Sequence, residues 1–212
     1  MSRTPAPADP LMAFSFIGGR PCLDFVATLG KRHTAPVERL ADMGALDRWI
    51  SQAQLEADRD AAAAPDADGM RITPADLEDA RALREVLYRL LRAAMREQAP
   101  DPDDVVRANE AAARPDLAPQ LAVGEDPDGE PQPALRWQAR HPARAALATV
   151  ARDAVLLAGG PLVARVKECE NPECSLLFLD DSQARRRRWC SMERCGNLAK
   201  IAEYRSRTRK KS

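Results

Sequence analysis

The chain has 212 residues, 45% of them hydrophobic and 30% charged, which excludes a disordered or fibrous protein and suits one domain plus a small module. Aromatic residues make up only 4% while 39 positions are alanine, so the composition points to packed helices rather than a β-sandwich. Thirty-two basic residues balance 32 acidic ones, and no apolar run reaches the roughly 18 residues of a transmembrane helix.

In chain order, residues 1–12 read as a flexible Pro/Ala-rich tail without the basic start and apolar stretch of a secretory signal. A cytoplasmic protein that makes no membrane contact is therefore expected. Residues 14–17 are expected as a short strand ending at Gly18-Gly19, and Pro21 suits the first turn of a helix reaching about Leu29. Cys22 lies in an apolar stretch and reads as a small core residue. A second helical stretch over 40–56 sets Leu46, Trp49 and Ile50 on one face, and residues 57–71 form a loop or linker. The clearest helix follows. Thr73 caps it, Pro74 comes first and Asp76 third, with Leu77, Ala80, Leu83, Leu87, Leu90, Leu91 and Ala94 along one stripe. Another helix is expected over 102–113. Residues 120–123 and 134–138 should pair as a hairpin across 124–129, and His141-Pro142 opens a last helix ending near Ala158. Gly159-Gly160-Pro161 is then a short hinge.

This body offers no recognisable catalytic spacing. Its only histidines, His33 and His141, lie far apart, and no phosphate-binding glycine loop, H-E-x-x-H or G-x-S-x-G occurs. The expectation is a binding protein rather than an enzyme. A pocket between helices, lined by Trp49 and Trp137, is one way to sense a small-molecule effector, although both residues suit a core or rim equally well.

The zero net charge is a sum of two unlike parts. Residues 1–164 carry −6 and residues 165–212 carry +6, with +9 concentrated in 182–212. Within the basic part stand Cys169-x4-Cys174, fifteen intervening residues, and Cys190-x4-Cys195. Two close pairs at such an interval are the layout of a four-cysteine zinc site, each pair forming one edge of a tetrahedron. Four protein thiolates leave no open position, so one structural Zn²⁺ is expected at Cys169, Cys174, Cys190 and Cys195. Two disulfides are the alternative, and reducing surroundings disfavour them. Asn171-Pro172 favours the turn that joins the first pair, residues 163–167 and 176–179 read as short flanking strands, and Asp180-Asp181-Ser182 is a turn. Asn197 is expected to cap a helix over 198–209, with Leu198, Ile201 and Ala202 on one side and Lys200, Tyr204, Arg207 and Lys211 on another.

The string RRRRWCSMERCGN followed by a basic helix, within 167–207, resembles the CGNR zinc finger. GGRPCLDFVAT at 18–28 resembles the opening of the alanine-rich, mostly helical ABATE domain that precedes such fingers. The resemblance implies a mainly α protein with a small β-hairpin: an ABATE-like domain over 13–160, a finger of short hairpin plus helix over 163–208, and a basic tail at 209–212. It also implies a transcription regulator. Leu198 stands where the motif has arginine, which removes any contact made by that side chain.

Electrostatics favours a polyanionic partner, because each Lys or Arg on a phosphate releases condensed counterions. Arg185, Arg186, Arg187 and Arg188 are assigned to phosphates, and Lys200, Arg205 and Arg207 lie nearest the bases or backbone, with Tyr204 stacking or bonding a phosphate. A single finger buries little DNA, which leaves a homodimer open. The competing reading is an adaptor whose basic finger grips an acidic protein or RNA, or the acidic body itself.

Overall fold

The computed structural model describes residues 9–57 and 72–201. Among the described residues, five helices form the body: α1 (Pro21–Val26), α2 (Met43–Gln52), α3 (Pro74–Met95), α4 (Pro102–Ala113) and α5 (Pro142–Ala158). Helix α3 starts where the sequence says it should. The Thr73 hydroxyl accepts from the Asp76 N–H at 3.2 Å, and the Asp76 carboxylate accepts from the Thr73 N–H at 3.0 Å, a reciprocal capping box. Its stripe Leu77, Ala80, Leu83, Leu87, Leu90 and Leu91 is buried, with Ala94 half-buried.

Helix α5 is the centre of the body. Ala146, Ala148, Ala151 and Ala154 are buried on it, and such small side chains let α1, α3 and α4 all pack against it. Cys22 is fully buried as expected. Its backbone N–H donates to Asp153 of α5 at 2.9 Å, and burial pushes its thiol well above the ordinary value.

Several local expectations are corrected. Helix α1 stops at Val26 rather than near Leu29, because the chain turns to pair β1 (Leu29–Gly30) antiparallel with β2 (Val37–Glu38). Gly30 leaves room for the buried Arg39 guanidinium, which would have to shift for a Cβ placed 2.3 Å from it. Helix α2 covers ten residues and not 40–56. Asp42 caps it by accepting from the Ala45 N–H at 2.7 Å, while Arg81 holds the Leu40 carbonyl outside the helix. Residues 14–17 form no strand, having no paired neighbour; they are held through side chains, with Phe14 and Ile17 packed on the two cores. Pro10–Met12 make a 3-10 turn within the segment read as a tail. Residues 58–71 of the expected linker lie outside the described residues.

The hairpin pairs β3 (Ala118–Glu125) with β4 (Pro131–Gln138), longer than expected, with Leu121 opposite Leu135 and Gly129 left-handed in the turn. After α5, a 3-10 turn at Pro161–Arg165 leads to β5 (Val166–Glu168), paired antiparallel with β6 (Leu177–Leu179). Val166 and Leu177 belong to the same buried cluster as Phe25, Leu87 and Leu147 of the body. The C-terminal module is therefore seated in the body's own core.

Charged residues inside this packing give a pH prediction. Burial pushes Glu85 up, but hydrogen bonds from Arg32 and Arg84 outweigh it and hold the carboxyl below the ordinary value. Asp104 is held down by its hydrogen bonds from Arg89. A depressed carboxylate stabilises the fold above its unfolded pKa of about 4, and that contribution is lost as pH falls through the folded value. Urea midpoints should thus fall between about pH 5 and pH 3, and a flat profile there would contradict the assigned pairs.

Candidate metal centre

The first cysteine pair is joined by a turn written into its residues. The Cys174 N–H donates to the Asn171 carbonyl at 2.7 Å, and the Asn171 side chain accepts from the Glu173 N–H at 3.0 Å. The second pair is set by a π-helical turn, Met192–Gly196, continued by helical residues 197–201. Ser191 caps that turn by accepting from Arg194, and Gly196 fits where a Cβ would lie 2.7 Å from the Met192 sulfur. The helix thus begins at Met192 instead of Leu198. Asn197 is inside it, donating to the Glu193 carbonyl at 3.4 Å rather than capping.

These turns bring the Sγ atoms of Cys169, Cys174, Cys190 and Cys195 all within 4.8 Å of one another. Sulfurs about 2.3 Å from a tetrahedral Zn²⁺ lie about 3.8 Å apart. Cys174 to Cys190 measures 3.8 Å and Cys190 to Cys195 measures 3.5 Å. The Cys190 N–H donates to the Cys169 sulfur at 3.4 Å, an orienting bond of the kind that tunes a metal site. Alone, four crowded sulfurs cannot all ionise. Cys169 is pulled down to about 2 by its contacts with Cys174 and then Cys190, while Cys174 is pushed up to about 12 by Cys169. A divalent cation replaces such shared protons, and with four protein ligands its role is structural.

The ABATE family model, described as "Putative stress-induced transcription regulator", matches residues 19–161, and the CGNR zinc finger model matches 165–208. The chain belongs to the ABATE family. Its C-terminal module is a CGNR zinc finger with four cysteines positioned to bind one zinc ion. No curated protein matches the chain. No described helix is long and apolar enough to cross a membrane.

Around the CGNR finger's sulfurs the four arginines have different fates. Arg187 is half-buried: its N–H donates to Asp180 at 3.0 Å, its Nε to the Trp189 carbonyl at 3.0 Å and its Nη2 to the Cys190 carbonyl, with the guanidinium 4.7 Å over Phe178. Arg188 pairs with Glu170 at 2.6 Å and lies 5.0 Å over Trp189. Arg185 and Arg186 are exposed. Of the four assigned to phosphate, Arg187 is the one whose guanidinium bonds backbone carbonyls of the finger itself. Lys200 is exposed on the helix, and Tyr204, Arg205 and Arg207 lie outside the described residues.

Sequence reasoning missed the group that shapes this loop. Asp180 is fully buried and accepts from Lys167 Nζ at 2.6 Å, from Ser182 and from Arg187, and these bonds, Lys167 foremost, hold it well below the carboxylate range. Lys167 also donates to the Arg185 carbonyl at 2.7 Å. Its neighbour on β5, Glu168, points the other way and binds His33 at 2.8 Å and Arg92 at 3.3 Å on the body. The Arg32 N–H donates to Ser175 at 3.0 Å, and Arg194 donates to Ser15. In the Arg92–Glu168 pair the cation lies on the body and the carboxylate on the finger, the reverse of what the net charges predict, while Arg194 reaches from the finger to a neutral hydroxyl of the body. The alternation of Lys167 and Glu168 along a short strand was the available signal.

The two tryptophans expected to share a pocket lie apart in the fold. Trp49 is fully buried against Phe25 at 4.9 Å, Trp137 is on the hairpin, and neither lines a described cavity. A cavity of about 470 Å³ lies instead beside Arg114, Arg140, His141 and Arg144.

Proposed function

We propose that the chain is a zinc-stabilised DNA-binding regulator that acts by binding rather than catalysis. The observation that carries this is the arginine loop. Lys167 and Asp180 fix its backbone, while Arg185 and Arg186 project into solvent ahead of a helix bearing Lys200. Cations presented from a fixed backbone lose less freedom on meeting a phosphate than cations on a free tail. The charge of +9 over 182–212 and the description of the chain's family support the same reading.

The test is a gel shift on duplex DNA across salt concentrations. Affinity should fall steeply with salt, and Arg185→Ala with Arg186→Ala should reduce the log–log slope by about 1 per residue. Weak binding at low salt, or an unchanged slope, would overturn the proposal. A protein-binding adaptor remains the second reading because Met192, Leu198 and Ile201 are exposed along the finger's helix. That reading gains if the finger retains an acidic protein but no duplex.

A further inference from the structure

The β3–β4 hairpin wears its apolar side outward. Strand alternation puts Pro119, Leu121, Val123 and Glu125 on one face with Trp137, Leu135, Pro133 and Pro131 opposite them. The other face carries Ala118, Gln120, Ala122 and Gly124 with Gln138, Arg136, Ala134 and Gln132. In a hairpin lying on its own domain the apolar face is the covered one. Here Leu121 is 84% exposed, Val123 81% and Leu135 63%. Among the described residues, neither hydrophobic core takes a side chain from the hairpin, and its strands pack chiefly on each other. A two-stranded sheet of this kind is marginal in water unless something covers it.

We propose that this face docks on the same face of a second copy, giving a two-fold dimer. The face favours a copy of itself in three ways. Seven of its eight positions are apolar and only Glu125, at the tip, is charged, so a polyanion or an acidic peptide finds nothing to pair with. Two such faces crossing antiparallel meet without a charge clash, because the two Glu125 side chains end up at opposite ends, and self-complementary two-fold contacts are the commonest protein assemblies. The prolines on both strands lack N–H donors, which opposes strand-to-edge addition and leaves the face as the route. The area also suffices. Eight residues per strand make a face about 27 Å long, and two copies would bury roughly 1,000–1,200 Å² in total, at the lower end of specific interfaces.

The experiment is sedimentation equilibrium on the zinc-loaded full chain without nucleic acid, so its outcome is independent of the DNA reading. The expected result is a two-chain mass at about 100 µM, insensitive to salt because the contact is apolar. Leu121→Glu with Leu135→Glu should give a one-chain mass while keeping the same circular dichroism and one zinc per chain. The milder pair Leu121→Ala with Leu135→Ala should weaken self-association at least about tenfold. A one-chain mass for the unaltered protein, or a two-chain mass that survives the glutamate pair, would overturn the proposal.

Discussion

Chelating the zinc is expected to lower the melting temperature of the whole chain, including the helical body, by roughly 10–20 °C. Structural zinc contributes on the order of 10 kcal/mol to small fingers folded alone. If only about 5 kcal/mol of that passes through the shared core, a chain of this size shifts by about 2–4 °C per kcal/mol. The route is physical. Val166 and Leu177, on the strands that flank Cys169, sit in the same cluster as Leu87 and Leu147. The Leu179 N–H donates to the Gly18 carbonyl at 2.8 Å, and Glu168 is tied to His33 and Arg92. Losing the tetrahedron frees the turns that hold β5 and β6, and the body then loses packing it cannot replace. The measurement is thermal circular dichroism at the helical band, with and without chelator. A helical transition that stays put while zinc leaves would show two independent units. Acid should act in the same direction as chelator, because Cys174 and Cys190 hold their protons and metal must displace them.

The second large effect concerns Trp49. It is fully buried, 4.9 Å from Phe25 and stacked 6.4 Å from Phe16, so Trp49→Ala should cost about 3–5 kcal/mol in urea unfolding through the cavity it leaves. Trp49→Phe should cost clearly less than Trp49→Ala, by more than the ring it retains alone suggests. The indole Nε1–H is buried without a hydrogen-bond partner among the described residues, and Trp49→Phe deletes that N–H together with the five-membered ring, so the penalty removed offsets part of the cavity cost. Equal losses for the two variants would mean that the indole makes a bond the structure does not show.

What was legible in the sequence was whatever local chemistry alone decides. The α3 capping box, the proline at the start of α5, the turn at Asn171 and the spacing of the four cysteines each need only a few neighbouring residues. Where the structure departs from the local signals, partners distant in the chain decide it in most cases. Helix α1 is shorter than its sequence suggests because nothing near Leu29 announces that it will pair with Glu38. Residues 14–17 have the apolar alternation of a strand, yet no strand lies beside them. The start of the finger's helix is the exception, since its cap, Ser191, is local, and Gly196-Asn197 offers a competing start a few residues on. Four consecutive arginines look alike in sequence, and only Asp180, Phe178 and the carbonyls of Trp189 and Cys190 set Arg187 apart.

The two family models meet between residues 161 and 165, and the hydrophobic core runs across that seam. What is inherited as two pieces is thus folded as one. A fragment ended at the seam would leave the body's floor open where Val166 and Leu177 belong, and a fragment begun there would present those two side chains to water. Orientation follows from the same fact: the finger cannot swing on a hinge, so whatever it grips is held at a fixed angle to α5.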